Sequence, residues 1–236
     1  MRVWFKIFIM VLIISIFGAF ILSSDLFSLK NIYVTGNKTV PKDDIIRLSN
    51  LQYGQNIFRI NKKKIVKNIF DSPKIKAIRI KRILPSSLSL DLVEREAVAL
   101  IPYLGSYLCI DEEALIIEVS GISEKTSVPV VEGFAFNDFK IGEVLRIDNN
   151  EQLDIALKIS KALKNSKLNE DVSIINLENL DSIMLTTRTG IRVYLCNNDI
   201  DYKIQLAKAI IEDLLKNNEK GIIDMRHDGN PIYKRD

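Results

Sequence analysis

The chain has 236 residues, 47% hydrophobic and 27% charged, which excludes a disordered or collagen-like protein and a polytopic membrane protein. Two cysteines and one histidine are too few for a four-cysteine zinc site, a histidine-ligated metal or a histidine-based catalytic triad. The net charge of +3 hides an asymmetry, because residues 1–97 carry 17 Lys/Arg against 7 Asp/Glu and residues 98–236 carry 16 against 23. We therefore expect the two parts to meet different partners.

The N-terminal segment predicts a membrane anchor. Sixteen uncharged residues run from Ile7 to Leu22, behind Arg2 and Lys6. With the three apolar residues at positions 3–5, a helix of this length reaches about 30 Å, the thickness of the hydrocarbon core. The basic residues before it and Asp25 after it place the N-terminus in the cytoplasm and the rest of the chain outside. A cleaved signal peptide is the alternative, but Leu22 falls where cleavage requires a small residue.

Residues 25–97 predict an α+β unit with the order strand, helix, helix, strand, strand. The first strand ends at Gly36, Pro41 opens the first helix and Asn61 caps the second. Two alternating apolar patterns then predict a hairpin that turns at residues 85–87. The expected core consists of Ile32, Val34, Ile45, Leu48, Ile65, Ile69, Ile80, Leu88 and Leu90.

Residues 98–226 predict a mostly antiparallel β domain with two helices. The predicted elements are, in chain order, a hairpin from Tyr103 to Val119 that turns at 111–113, a helix around 153–164, a hairpin of strands 183–186 and 191–195, a helix capped by Asn198 or Asp199, and a short strand from Ile222 to Arg226. We expect residues 227–236 to form a polar tail. The acidic turn 111–113 is interpreted as solvated carboxylates, since no histidine is near enough in sequence to suggest a metal site.

Several short motifs resemble the FtsQ/DivIB family of bitopic bacterial division proteins. They follow one another in the family's order and comprise residues 29–37, 54–58, 82–85, 93–95, 98–99, 109–111, 187–193, Lys203 and 222–226. Ala97 and Ala114 stand where the family usually has proline and glycine, in both cases at a turn. The resemblance implies a POTRA (polypeptide-transport-associated) domain at 25–97, behind a cytoplasmic tail 1–6 and a transmembrane helix 7–24, and a β-rich FtsQ/DivIB-type domain at 98–226.

The resemblance also implies a function. A family member is a single-pass membrane protein concentrated at the division septum, where it binds division proteins of the FtsL and DivIC/FtsB type outside the membrane. It supports septal peptidoglycan synthesis, and its contact with the septal synthases is indirect. From the residues themselves, no acid/base pair or activated nucleophile stands out, so we expect no catalytic residue, cofactor or metal. Nucleic acid is not expected outside the cell.

Two other classes of function stay open. One is a wall-acting enzyme, and the other is a POTRA-containing secretion or envelope-assembly factor. Depletion of the protein distinguishes them, because filamentous cells indicate a division protein, lysis an enzyme, and missing exported proteins a secretion factor.

The final strand is the predicted partner-binding site. Only a polar tail follows it, so its outer N–H and C=O groups lack a covering strand and invite β-augmentation. By resemblance, FtsB-type partners dock in this region. The alternation does not decide which side faces outward, and the alternative is a strand that only completes its own sheet. The predicted residues are Ile222, Ile223, Asp224, Met225 and Arg226, with Ile232 and Tyr233 as a further anchor.

Basic residues and cysteines give two further hypotheses. Residues 62–82 hold nine Lys/Arg and one acid, which indicates either two solvated faces or one basic surface for anionic lipid or wall polymer. The candidates for that surface are Lys62, Lys63, Lys64, Lys67, Arg79 and Lys81. Cys109 and Cys196 lie in hydrophobic strand patterns typical of free buried cysteines, and a disulfide between them is the alternative.

Overall fold

A computed structural model describes residues 2–22, 24–121, 127–227 and 229–235. Ser23 of the predicted anchor, and Asp228 and Asp236 of the predicted tail, lie outside these ranges. The chain divides into two compact units, Met1–Arg95 and Glu96–Asp236, and each is described by itself.

The N-terminal segment is helical, and α1 spans Arg2–Leu22. Large apolar side chains of this helix are exposed, Trp4 at 78% and Phe17 at 64% among them. Among the residues that the structure describes, no helix combines the length and the apolar character needed to cross a membrane. The predicted anchor is not confirmed.

The rest of the first unit has the expected order of elements. These are β1 (Asn31–Thr35), α2 (Lys42–Ser49), α3 (Lys62–Phe70), β2 (Ile75–Ile83) and β3 (Ser87–Glu94). The described strands form a three-stranded sheet in the order β1-β3-β2, with β1 parallel and β2 antiparallel to β3. Both helices lie on one face of this sheet, since their apolar residues share one core with alternate residues of the strands. The predicted α+β class is therefore confirmed for this unit.

The core of the first unit follows the sequence pattern. Every predicted core residue is buried except Val34 and Leu48, which pack half-buried against the same cluster. The side chain of Asn61 accepts a hydrogen bond from the Lys64 backbone N–H at 3.2 Å, so it caps α3 as expected. Glycine is required at Gly36, because a Cβ there would lie 2.0 Å from the Leu92 carbonyl oxygen. The turn after β1 can therefore pass close to β3.

Glu94 holds the loop between β1 and α2. Its carboxylate accepts hydrogen bonds from the backbone N–H groups of Lys38 at 2.7 Å, Thr39 at 2.9 Å and Val40 at 3.0 Å, and from the Thr39 hydroxyl at 2.5 Å. Burial raises the pKa of Glu94, but the hydrogen bonds from Thr39, Val40 and Lys38 outweigh it and lower the pKa below its ordinary value. The carboxylate is therefore ionised and fixes the entry to α2.

The second unit is built on one long sheet. Its elements are β4 (Ala99–Tyr103), β5 (Ser106–Ile110), β6 (Ile116–Ser120), β7 (Val130–Glu132), α4 (Asn150–Ser166), β8 (Val172–Asn176), β9 (Ile183–Thr187), β10 (Arg192–Leu195), α5 (Ile200–Lys216), β11 (Gly221–Met225) and β12 (Ile232–Arg235). In the described part of the chain, nine strands follow the order β12-β11-β10-β9-β8-β7-β4-β5-β6. Five neighbouring pairs are antiparallel and three are parallel. The buried residues of α4 and α5 join one face of the sheet in a single core.

The structure confirms both predicted hairpins, β5–β6 and β9–β10. The carboxylate of Asp111 is 2% exposed and accepts the backbone N–H groups of Glu113 and Leu115, both at 2.9 Å. The interpretation of this turn as solvated carboxylates is therefore wrong for Asp111, which closes the turn from inside. Strands β4, β7, β8 and β12 were not predicted, because each is at most five residues long and gives only a weak local pattern. Strand β7 in addition pairs only with strands that are distant in sequence, β4 and β8.

Candidate functional site

The predicted docking strand lies inside the sheet. Ile222 to Met225 belong to β11, which pairs in parallel with β10 and antiparallel with β12. The expectation that its outer edge has no covering strand is wrong, because residues 232–235 of the predicted tail return along it. An uncovered β11 would leave backbone N–H and C=O groups without partners, and β12 supplies them within the chain. Partner binding by the seven predicted residues stays a prediction.

Among the described residues, the edge strand at this end of the sheet is β12, not β11. All four residues of this strand are exposed, Ile232 at 55% and Tyr233 at 38%. The Tyr233 hydroxyl donates to the Lys220 carbonyl oxygen at 3.0 Å, and a nitrogen of Arg235 lies 3.8 Å from a carboxylate oxygen of Glu219. These contacts connect β12 to the loop after α5.

The structure decides which side of β11 faces outward. Ile223 is 0% exposed and Met225 4%, and both belong to the core of the second unit. Ile222 and Asp224 lie half-buried on the opposite face. Ile232 is the cross-strand partner of Asp224, so it shares this outer face. The outward surface at the edge therefore combines two isoleucines with a charged group.

Arg226 organises the polar part of this surface. Its guanidinium donates to both carboxylate oxygens of Asp224, with Nε–Oδ1 3.0 Å and Nη2–Oδ2 2.5 Å. It also donates to the Ser182 hydroxyl at 3.1 Å and lies 5.2 Å from the centre of the Tyr194 ring. The hydrogen bond from Arg226 outweighs the effect of burial and lowers the pKa of Asp224 to about 2. Asp224 is thus ionised at neutral pH and orients the guanidinium instead of acting as an acid.

Sequence reasoning missed two members of this cluster. Ser182 and Tyr194 lie on other strands or turns and approach Arg226 only when the sheet forms. The spacing of Asp224 and Arg226, two residues apart at the end of a strand, was the only local signal. His227 comes within 3.9 Å of the Asp224 carboxylate and adds a further polar side chain at the same place.

The six predicted cations do not form one surface. Arg79 and Lys81 alternate with buried Ile80 along β2, and α3 packs on the face to which Ile80 points. Arg79 and Lys81 therefore project from the opposite, open face of the sheet, where Lys81 lies 3.5 Å from Asp91. The cations of α3 lie on the helix side of the sheet, where Lys63, Lys64 and Lys67 are exposed. Lys62 is half-buried there and donates to the Ile80 carbonyl oxygen of β2 at 2.8 Å. A binding role for either group stays a prediction.

The two cysteines differ in their surroundings. In the described part of the chain neither cysteine belongs to a disulfide, and only Cys109, at 7% exposed, is buried. The prediction of a buried core cysteine is wrong for Cys196, which follows β10 and is half-buried in a polar cluster with Asn198 and Lys203. Within the described residues, no group of three or more His, Cys, Asp and Glu side chains is arranged to hold a metal ion.

Comparison with known proteins identifies both units. Residues 27–95 match the family model of the FtsQ-type POTRA domain, and residues 99–226 match the model of the FtsQ/DivIB C-terminal domain. Cell division protein DivIB of Clostridium botulinum strain Hall is 29% identical over 225 residues, which is 94% of this chain and 88% of that protein. DivIB of Clostridium tetani is 25% identical over 224 residues, covering 94% of this chain and 84% of that protein.

A solved structure also matches. It is the major extracytoplasmic domain of the trans isomer of DivIB from Geobacillus stearothermophilus, with 17% identity and a TM-score of 0.34, and the match covers 52% of this chain and 97% of that one. The two family models together span most of the sequence and both describe the same kind of protein. The chain therefore belongs to the FtsQ/DivIB family of cell division proteins.

Proposed function

We propose that this cell division protein is a non-enzymatic scaffold of the septum, anchored in the cell membrane by a single N-terminal span. Its parts would be a cytoplasmic tail 1–6, an anchor 7–24, a POTRA domain 25–97 and a β-rich domain 98–226. The uncharged run from Ile7 to Leu22 and the exposed apolar side chains of α1 support the anchor. Division relatives that cover both described units support the septal location.

The observation that carries the proposal is the sheet edge at β12. We infer that a partner adds a strand to this edge, so that backbone hydrogen bonds give affinity and outward side chains give the choice of partner. Ile222 and Ile232 supply apolar contact, and Arg226 supplies a fixed cation beside them. The partners are membrane division proteins of the FtsL and DivIC/FtsB type, and through them the protein supports septal peptidoglycan synthesis.

Site-specific photo-crosslinking in cells tests the edge. A photoreactive residue at Lys234, exposed on β12, is expected to capture an FtsL-type or DivIC/FtsB-type partner. The same residue at Tyr202, which is 66% exposed on α5, is the matched control and is expected to capture neither. Equal capture from both positions, or none from β12, contradicts docking at this edge.

Proline substitutions on β12 test the backbone hydrogen bonds to a partner separately from the backbone hydrogen bonds to β11. Consecutive residues of an edge strand direct their N–H groups to opposite sides, so Lys234→Pro and Arg235→Pro each remove a donor from a different side. One variant is expected to lose partner binding while unfolding at the wild-type temperature, and the other to loosen the pairing of β11 with β12. If both variants fold and both bind as well as the wild type, the edge is not the docking site. Ile223 is unsuitable for this test because it is buried between two strands.

Depletion of the protein tests the scaffold role. Filamentous cells are expected, because a missing scaffold stops septation without removing wall synthesis along the sides of the cell. Lysis, or peptidoglycan hydrolysis by the purified protein, contradicts the absence of enzymatic activity. Loss of exported proteins without filaments indicates a secretion factor instead.

A further inference from the structure

A buried lysine lies against a cysteine where β10 ends and α5 begins. Lys203, near the start of α5, is 7% exposed, and its ammonium group donates to the Cys196 sulfur at 3.0 Å and to the Asn198 side-chain oxygen. Lysine is almost never fully buried unless it is paired with an opposite charge. Among the described residues, however, the hydrogen-bond partners of this ammonium are a thiol and an amide. The arrangement brings a nucleophilic sulfur and an amine together without a carboxylate between them.

The sulfur is held from three sides. Besides the contact with Lys203, it lies 2.8 Å from the Asn198 side-chain oxygen and 3.4 Å from the Arg226 carbonyl oxygen. Asn198 and Arg226 therefore leave the thiol little freedom to turn away from the amine. Cys196 is half-buried, so a small oxidant reaches it, whereas Cys109 is 7% exposed within β5. Of the two thiols, Cys196 is thus both the more accessible and the one beside an amine.

We propose that Cys196 and Lys203 form a reversible sulfur–nitrogen cross-link when a hydroperoxide oxidises the thiol. The thiol sulfur first attacks the peroxide and breaks its O–O bond, which gives a sulfenic acid and one molecule of water or alcohol. The sulfur is oxidised by two electrons and the peroxide is reduced by two. Lys203, after releasing a proton to water, then attacks the same sulfur with its nitrogen lone pair. The S–O bond breaks, an S–N bond forms, and the oxygen leaves as water with a proton from the nitrogen.

The geometry favours this second step over its competitors. Sulfenic acids condense with thiols or with backbone nitrogen, and the outcome depends on which group stands beside the sulfur. Here the amine is within 3.0 Å, the separation of reacting atoms in a near-attack conformer. Further oxidation to sulfinic acid needs a second peroxide to arrive from solution. Two thiols reverse the link, because the first displaces the amine as a mixed disulfide and the second releases Cys196.

The link would act at the base of the docking edge. It closes the loop from Cys196 to Lys203 and ties the end of β10 to α5. It also consumes the thiol that lies beside the Arg226 carbonyl oxygen, one residue after β11. The pair is therefore a redox-sensitive connection between β10 and α5, and it lies next to Arg226 at the end of β11, the strand that pairs with β12.

Peptide mapping of the purified full-length chain tests the link. After treatment with hydrogen peroxide, the mass of the wild type is expected to fall by two hydrogens, and digestion is expected to yield one peptide joined through Cys196 and Lys203. Cys196 is expected to resist alkylation until a thiol reductant is added. Cys109→Ser is expected to form the same link. This control is needed because a disulfide between Cys109 and Cys196 would lower the mass by the same two hydrogens. Lys208→Met, on the same helix, is expected to behave like the wild type.

Lys203→Met removes the amine and is expected to leave Cys196 as a sulfenic acid that a 1,3-diketone traps, or as a sulfinic acid after longer treatment. The wild-type map decides the matter even if this variant does not fold. The proposal is overturned if the wild type yields unmodified Lys203 together with Cys196 as a sulfinic acid, as a sulfonic acid or in a disulfide with Cys109.

Discussion

Replacement of Glu94 by glutamine is expected to destabilise the POTRA domain strongly for so small a change. The carboxylate is 8% exposed and receives three backbone N–H groups and one hydroxyl from residues 38–40. Glutamine keeps one acceptor oxygen but turns an NH2 group toward donors that need an acceptor. The substitution therefore removes the carboxylate acceptor from partly buried N–H groups of the loop.

The magnitude follows from that count of donors. One amide oxygen accepts two of the four donors, so two are left without partners. A buried donor left unsatisfied costs about 1–3 kcal/mol. Because Lys38 and Thr39 are exposed and water reaches them, two such donors are expected to cost about 2–4 kcal/mol. For a domain of this size, each 1 kcal/mol lowers the unfolding temperature by about 4–8 °C, so a decrease of about 8–32 °C is expected.

The same group gives a pH dependence. The pKa of Glu94 is lower in the folded chain than the ordinary value of 4.5, so the stability that it contributes is fully present above pH 4.5. That contribution is lost as the pH falls through the folded pKa, because the protonated carboxyl group no longer accepts all four hydrogen bonds. In the glutamine variant this part of the acid dependence is expected to disappear.

Differential scanning calorimetry of residues 25–236 measures both effects, with hydrogen exchange at residues 38–40 as the local readout. Asp91→Asn is the matched control, because Asp91 lies on the open face of the same sheet with a side chain 34% exposed and bonds to Thr35 and Ser89. It is expected to cost much less. An unfolding temperature of Glu94→Gln within a few degrees of the wild type, with unchanged exchange in the loop, would refute the reasoning.

Three further changes probe other parts of the fold. Ile69→Asp places a carboxylate at a position that is 0% exposed and is expected to abolish the cooperative unfolding of the POTRA domain by calorimetry, whereas Lys67→Ala on the exposed face is expected to leave it intact. Ser160→Ala is expected to stabilise the second unit by about 1 kcal/mol in urea unfolding, because its buried hydroxyl has no hydrogen-bond partner among the described residues; a destabilised variant contradicts this. Gly221→Ala would place a Cβ 2.3 Å from the Lys234 carbonyl oxygen, so faster hydrogen exchange in β12 with little change in β9 is expected, and unchanged exchange in β12 contradicts the pairing.

Local patterns were sufficient for much of the fold. The alternation in β2 and β3 and the apolar faces of α2 to α5 depend on neighbours within a few residues, so the sequence itself shows them. Caps and turns are equally local, as at Asn61 and Gly36. The family resemblance rests on the same kind of short motif, and the two family models confirm it.

The candidate site was predictable only in part. The sequence predicted a docking strand at Ile222 to Arg226, and its alternation defined two faces. Which face is outward depends on where α5 and the core lie, and the structure buries Ile223 and Met225. The pairing of β12 with β11 requires the chain to reverse direction after β11 and to form another strand beside it. No local sequence pattern specifies which strand a segment will pair with.

What the sequence determined by itself was the identity and order of the helices and of most strands, since helix and strand periodicity are properties of adjacent residues. The tertiary structure alone decided which side chains meet across long separations. It put Arg79 and the lysines of α3 on opposite sides of one sheet, joined Arg226 to Tyr194 and Ser182, and brought Lys203 to Cys196. The physical reason is that burial of apolar residues fixes the stacking of strands and helices, and the polar groups meet wherever that packing leaves them.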